Sequence, residues 1–208
     1  MQIDSRSLRS QSPISHLPNE ILTHIFFFLR LDTRRKHEDW SRLTVTHVCR
    51  LWREVALCCS HLWSEVTSIR HLDAIQELVH RAKNTELTID IDETFAKTDS
   101  VLDALLPHVG HTATLKLDPG SSRELSRDLQ WYDSLLTSKP APVLQTLELG
   151  SNRNAYKVPS DIFLGITPHL RSLSLNHCLV DFSSPLFQCE LRHLTLLETP
   201  TVDGSNLM

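Results

Sequence analysis

The sequence predicts a mixed α/β protein: three N-terminal helices, then a short solenoid of alternating helices and strands. Three observations predict it. Residues 13–63 hold two amphipathic helical stripes on either side of a charged connection. From Val66 onward, helical and strand periodicities alternate. Within that second part, one L-x-x-L-x-L pattern returns three times. The expected division is a polar tail at 1–12, a helical domain at 13–65 and a repeat domain at 66–208.

The first helix is expected to open at Pro18, whose missing N–H costs nothing in a first turn, and Glu20 favours the positive helix end. At the helical period, Phe28, Ile21, Ile25, Leu29, Leu22 and Phe26 fall in one apolar arc of about 160°. Phe27 lies outside that arc, beside Glu20 and Thr23. The later helix sets Leu51, Val55, Val48, Trp52 and Ala56 on a stripe of about 140°, with Arg50, Arg53 and Glu54 opposite. A short middle helix is expected near Trp40–Val45. So wide an apolar arc on a unit of about 50 residues implies that part of it meets a partner.

Leu17-Pro18-x-Glu20-Ile21-Leu22-x-x-Ile25-Phe26, then Val48-Cys49-Arg50-x-Trp52-Arg53-x-Val55-Ala56 and Leu62-Trp63, resembles an F-box of the type common in large fungal families. The resemblance covers about a quarter of the chain. It departs between Leu29 and Val48, where the connection is longer than usual and carries Arg34-Arg35-Lys36-His37-Glu38-Asp39. The rival reading is an ordinary small helical subdomain whose Leu, Phe and Trp only form a core.

The second part reads as helix around Leu72–Ala82, strand at Leu87–Ile91, helix around Val101–Val109 and strand at Thr114–Leu117. A helix with Leu129, Trp131, Tyr132, Leu135 and Leu136 follows, ended by Pro140 and Pro142. Then come Leu144-x-x-Leu147-x-Leu149-x-x-Asn152, Leu170-x-x-Leu173-x-Leu175-x-x-Cys178 and Leu191-x-x-Leu194-x-Leu196-x-x-Thr199. These resemble leucine-rich repeats, with weaker copies expected to start at Thr112 and Asn84. First-position spacings are then 28, 32, 26 and 21 residues. Each such unit has an apolar face that a stacked neighbour must cover. A parallel sheet in an ordinary α/β domain is the competing account, since its strands are also apolar. After Leu196 no further repeat can form before Met208, so the solenoid is expected to be incomplete at that end, as in a fragment of a longer protein.

The chain of 208 residues is 40% hydrophobic and 22% charged, the composition of a globular protein. Net charge divides into +2 over residues 1–68 and −6 over 69–208, which argues against a nucleic-acid-binding surface. The polar, Ser-rich start has no apolar signal region, and the longest uninterrupted apolar run, Ile25–Leu29, is far short of a membrane span. Five cysteines with no C-x-x-C fit thiols in a reducing cytosol or nucleus. Arg34-Arg35-Lys36 reads as a solvated loop before it reads as a nuclear signal.

No catalytic constellation stands out, and no cofactor is expected. The chain has five glycines, no phosphate loop and no G-x-S-x-G elbow. His177-Cys178 and Cys189-x-x-x-His193 offer four potential zinc ligands, but neighbours in extended chain point to opposite sides, so no metal site is expected.

The F-box resemblance implies docking on a Skp-type adaptor of a cullin–RING ubiquitin ligase, through Leu17, Pro18, Ile21, Leu22, Val48, Trp52 and Arg53. The repeat domain would select a protein substrate, with no role for nucleic acid or membrane. The residues between leucines define the expected substrate face: Glu86, Thr88 and Asp90; Thr114, Lys116 and Asp118; Thr146 and Glu148; Ser172, Ser174 and Asn176; His193 and Thr195. Its excess of acids favours a polar or basic peptide. The alternative is a leucine-rich scaffold whose helices merely cap the solenoid, with a zinc-dependent enzyme a distant third.

Overall fold

The computed structural model describes Ile14 and residues 17–32, 41–67, 71–91, 99–118, 130–151 and 155–198. The tails at 1–12 and 199–208, the charged loop at 34–39, Trp40, Leu129 and Asn152 lie outside the described residues, as do the side chains of Leu29, Leu102, Trp131 and Tyr132. The chain divides into two compact units between Leu62 and Trp63, against an expected boundary after residue 65.

The first unit is helical. Helix α1 spans Asn19–Asp32, α2 spans Ser41–Thr44 and runs into a 3-10 turn at Val45–His47, and α3 spans Arg50–Cys58. Pro18 sits just before α1 instead of inside its first turn, and its carbonyl accepts from Ile21 N–H at 3.1 Å and Leu22 N–H at 3.2 Å. The core holds Leu22, Phe26, Val45, Trp52, Val55, Ala56 and Leu62. Phe26 and Trp52 meet edge to face with centroids 5.2 Å apart, a favourable arrangement for two ring quadrupoles.

The second unit mixes helix and strand around a parallel sheet. Its strands are β1 Glu65–Thr67, β2 Leu87–Ile91, β3 Thr112–Leu117, β4 Thr146–Gly150, β6 Ser172–Asn176 and β8 His193–Leu197, paired in that order. A smaller parallel pair joins β5 Tyr156–Lys157 to β7 Cys178–Leu179. Helices α4 Leu72–Ala82, α5 Asp99–Leu105 and α6 Gln130–Thr137 precede β2, β3 and β4. Parallel neighbours need such crossovers, because a tight hairpin can only reverse the chain.

The register builds two apolar ladders. Val66, Ile89, Leu115, Leu147, Leu173 and Leu194 stand side by side, and so do Ile91, Leu117, Leu149, Leu175 and Leu196. All but the last member of each are buried, at 2% exposure or less. Two expectations need correction. The short strand β1, with Val66 in the ladder, was not anticipated. The copy expected to start at Asn84 is slipped by two residues: Ile89 and Ile91, not Leu87 and Ile89, align with Leu115 and Leu117. The register also shifts between Leu87 and Thr88, where Leu87 pairs with Thr112 and Ala113 is skipped.

Behind the sheet, Tyr156 Oη donates to Asp133 Oδ1 at 2.7 Å and ties β5 to α6. Burial first, then Asp133, holds its phenol well above the ordinary range. Cys178 is fully buried, and its thiol faces the Leu149 carbonyl at 3.7 Å. Burial pushes that thiol up to about 11, so it packs as a neutral group.

Candidate protein-binding surfaces

In the helical unit, two buried side chains decide which side of α1 is left over. Leu22 and Phe26 turn inward, with no exposed area. Ile21 is 48% exposed and Phe28 66%. The apolar arc is therefore wider than the core it serves. On the connection into α3, Val48 is 55% exposed. Arg53 Nε donates to the Thr46 carbonyl at 2.8 Å, which joins α3 to the turn before it, while much of the side chain stays exposed.

The expected adaptor residues thus separate by position. Pro18, Ile21, Val48 and Arg53 are exposed and Leu17 is half-buried. Leu22 and Trp52 are buried core residues and cannot present a surface in this fold; they hold α1 and α3 together behind it. Sequence reasoning missed a groove of about 370 Å³ lined by Thr23, His24, Phe27, Phe28, Cys59, His61 and Leu62. Its walls are largely apolar, and Phe27, set outside the predicted arc, is 46% exposed. The adjacent Phe27-Phe28 pair, too closely spaced for one helical face, was the available signal.

In the second unit, the face opposite the ladders carries two polar rows. One runs Glu65, Thr88, Thr114, Thr146, Ser172, His193; the other runs Thr67, Asp90, Lys116, Glu148, Ser174, Thr195. Among the expected face residues, all but Glu86, Asp118 and Asn176 fall in these rows. Glu86 precedes β2 and accepts from Gln145 Nε2 at 3.4 Å, Asp118 follows β3, and Asn176 lies beyond the two rows. Glu65 and Thr67 extend the rows by one strand and were missed with it. Lys116 and Glu148 form an ion pair at 2.8 Å, so the expected lone lysine is already engaged. The other charged side chains in the rows of β1–β4 are Glu65 and Asp90, both acidic.

Of the four potential zinc ligands, His177 Nε2 pairs with Glu198, and Cys189 Sγ faces the Thr167 carbonyl at 3.2 Å. His108 and His111, just before β3, stand with Nδ1 and Nε2 at 3.2 Å. Partial burial lowers both pKa values, and for His108 the charges of His111 and Lys139 add to the effect. One imidazole donates and the other accepts, so at least one ring is neutral.

Comparison with known proteins gives one match. No curated protein and no solved structure matches the chain. The F-box-like family matches residues 14–68, so the chain carries an F-box-like domain over that stretch.

Proposed function

We propose that this chain is a non-catalytic substrate-recognition subunit of a Skp–cullin–F-box ubiquitin ligase, acting in the cytosol or nucleus. The observation that carries the reading is the F-box-like match at 14–68 together with the apolar side chains that its core leaves exposed. Pro18, Ile21 and Val48 are the residues we assign to adaptor contact, with Leu17 at the edge. Burying an aliphatic side chain of this size is favourable by about 1.5–3 kcal/mol, and association itself costs at least about 4 kcal/mol, so these residues would anchor a larger contact.

The second unit would then be a leucine-rich-repeat solenoid that holds the substrate. Its sequentially ordered parallel strands and stacked leucine ladders support that reading. The polar rows along β1–β4, whose charges sum to a net negative, suit a polar or basic peptide. Catalysis would come from proximity alone: a substrate lysine held near a charged conjugating enzyme reacts as if intramolecular.

Affinity capture tests the proposal. Wild-type protein should retrieve a Skp-type adaptor and a cullin. Leu17→Ala with Pro18→Ala, both at the margin of α1, should reduce capture about tenfold or more with the circular dichroism spectrum unchanged. Full capture by that folded variant would defeat the assignment, and no capture by wild type would favour a scaffold instead.

A further inference from the structure

The edge strand β8 is unlike every other strand in the sheet. All five residues, His193–Leu197, are exposed, and Leu194 and Leu196 are 48% and 37% exposed where their ladder neighbours Leu173 and Leu175 are buried. Among the described residues no strand lies beyond it. The opposite edge is protected: β1 is three residues long, carries Glu65, and keeps Val66 fully buried. A long, uncharged, apolar edge is a template for strand pairing.

The backbone fixes which groups are free. His193 N–H donates to the Arg171 carbonyl at 3.0 Å, and the Leu197 carbonyl accepts from His177 N–H at 2.9 Å. In a parallel ladder such residues alternate with those facing away. His193, Thr195 and Leu197 therefore face β6, and the N–H and C=O groups of Leu194 and Leu196 face the open edge.

We propose that β8 pairs antiparallel with β8 of a second copy of this chain, across a two-fold axis at Thr195. The proposal is independent of the ubiquitin-ligase reading. Leu-Thr-Leu at 194–196 is a palindrome, and a two-fold contact needs self-complementarity. With the axis at Thr195, Leu194 lies opposite Leu196 of the other copy, and both point to the apolar side. Those are the residues with outward backbone groups, so all four groups on each strand find partners. The two Thr195 residues meet as a non-hydrogen-bonded pair on the polar face. Just past the strand ends, Arg192 comes opposite Glu198 of the other copy, and Glu198 opposite its Arg192. Moving the axis to Leu194 or Leu196 pairs that leucine with its own copy but sets the other outward leucine against Arg192 or Glu198, beyond the strand, and loses these charge pairs. Glu198 already bonds His177, but its side chain is 72% exposed and open to a second cation.

Sedimentation equilibrium of the full chain should show a monomer–dimer equilibrium at about 10–100 μM, as befits a small interface. Arg192→Glu should weaken it about tenfold by setting acid against acid at both ends, and adding Glu198→Arg should restore it. Thr195→Cys should give a covalent dimer under oxidised glutathione, because Cα atoms of a non-hydrogen-bonded pair lie about 4.5 Å apart, within disulfide range. Wild type, whose Cys49 and Cys58 are exposed, gives the background. A wild-type chain that stays monomeric at these concentrations would overturn the proposal. So would open-ended aggregation, or a dimer indifferent to the charge exchange.

Discussion

Leu22 and Ile21 are adjacent in sequence and opposite in situation. Leu22 has no exposed area and Ile21 nearly half of its own. Leu22→Ala should therefore lower the stability of the helical unit by about 2–5 kcal/mol, through lost transfer energy and the cavity left behind. Ile21→Ala should change it by no more than about 0.5 kcal/mol. Denaturant melts of the two variants check the contrast. The helical period placed both residues in one arc, because periodicity yields an angle and not the neighbour that fills it. The histidine pair gives a second residue-scale expectation. His108 and His111 titrate below their usual 6.5 when folded, so the unfolded chain takes up protons first as the solution is acidified. Stability should fall as pH drops through 6.5 and level off below the folded values. Paired His108→Gln and His111→Gln substitutions should flatten the melting temperature measured between about pH 7.5 and 5.5.

At the scale of elements, the strand pattern was legible where Leu stood at every second position and failed where it did not. Leu147, Leu149, Leu173 and Leu175 occupy the ladders that their spacing announced. The strand at Glu65–Thr67 is too short to show a period of two, and the slip at Leu87 arose because Leu87, Ile89 and Ile91 offer an apolar residue in either register. Conformation at the 3-10 turn Ile162–Gly165 was likewise hidden. Phe163, Leu164 and Gly165 all have positive φ, at 49°, 53° and 72°, and only glycine adopts that without strain. The turn keeps Phe163 fully buried while Leu164 is 51% exposed. Leu164→Gly should therefore raise stability by about 0.5–1 kcal/mol, since little packing is lost and a left-handed Cβ clash of about 1–2 kcal/mol is relieved. Thermal unfolding would read it, and a loss of stability would mean that Leu164 contributes contacts its exposure does not reveal.

For the whole molecule, the sequential strand order makes position along the sheet a proxy for local stability. An inner strand such as β4 is hydrogen-bonded on both sides, to β3 and to β6, and its leucines are covered by both neighbours. Among the described residues, strand β8 pairs with β6 alone. Each leucine left outside forgoes part of the roughly 1.5–3 kcal/mol that full burial brings, and opening β8 breaks one ladder where opening β4 breaks two. Local opening free energies in one protein span a wide range for this kind of reason. In dilute solution, where the chain is monomeric, amide hydrogens of 193–197 should exchange orders of magnitude faster than those of 146–150. Among the β8 amides, those of Leu194 and Leu196 should be fastest, because they face the open edge while Thr195 and Leu197 face β6. Raising the concentration until copies pair should slow Leu194 and Leu196 selectively, leaving 146–150 unchanged. Uniform protection across β4 and β8 at high dilution would mean that something within the chain covers the edge.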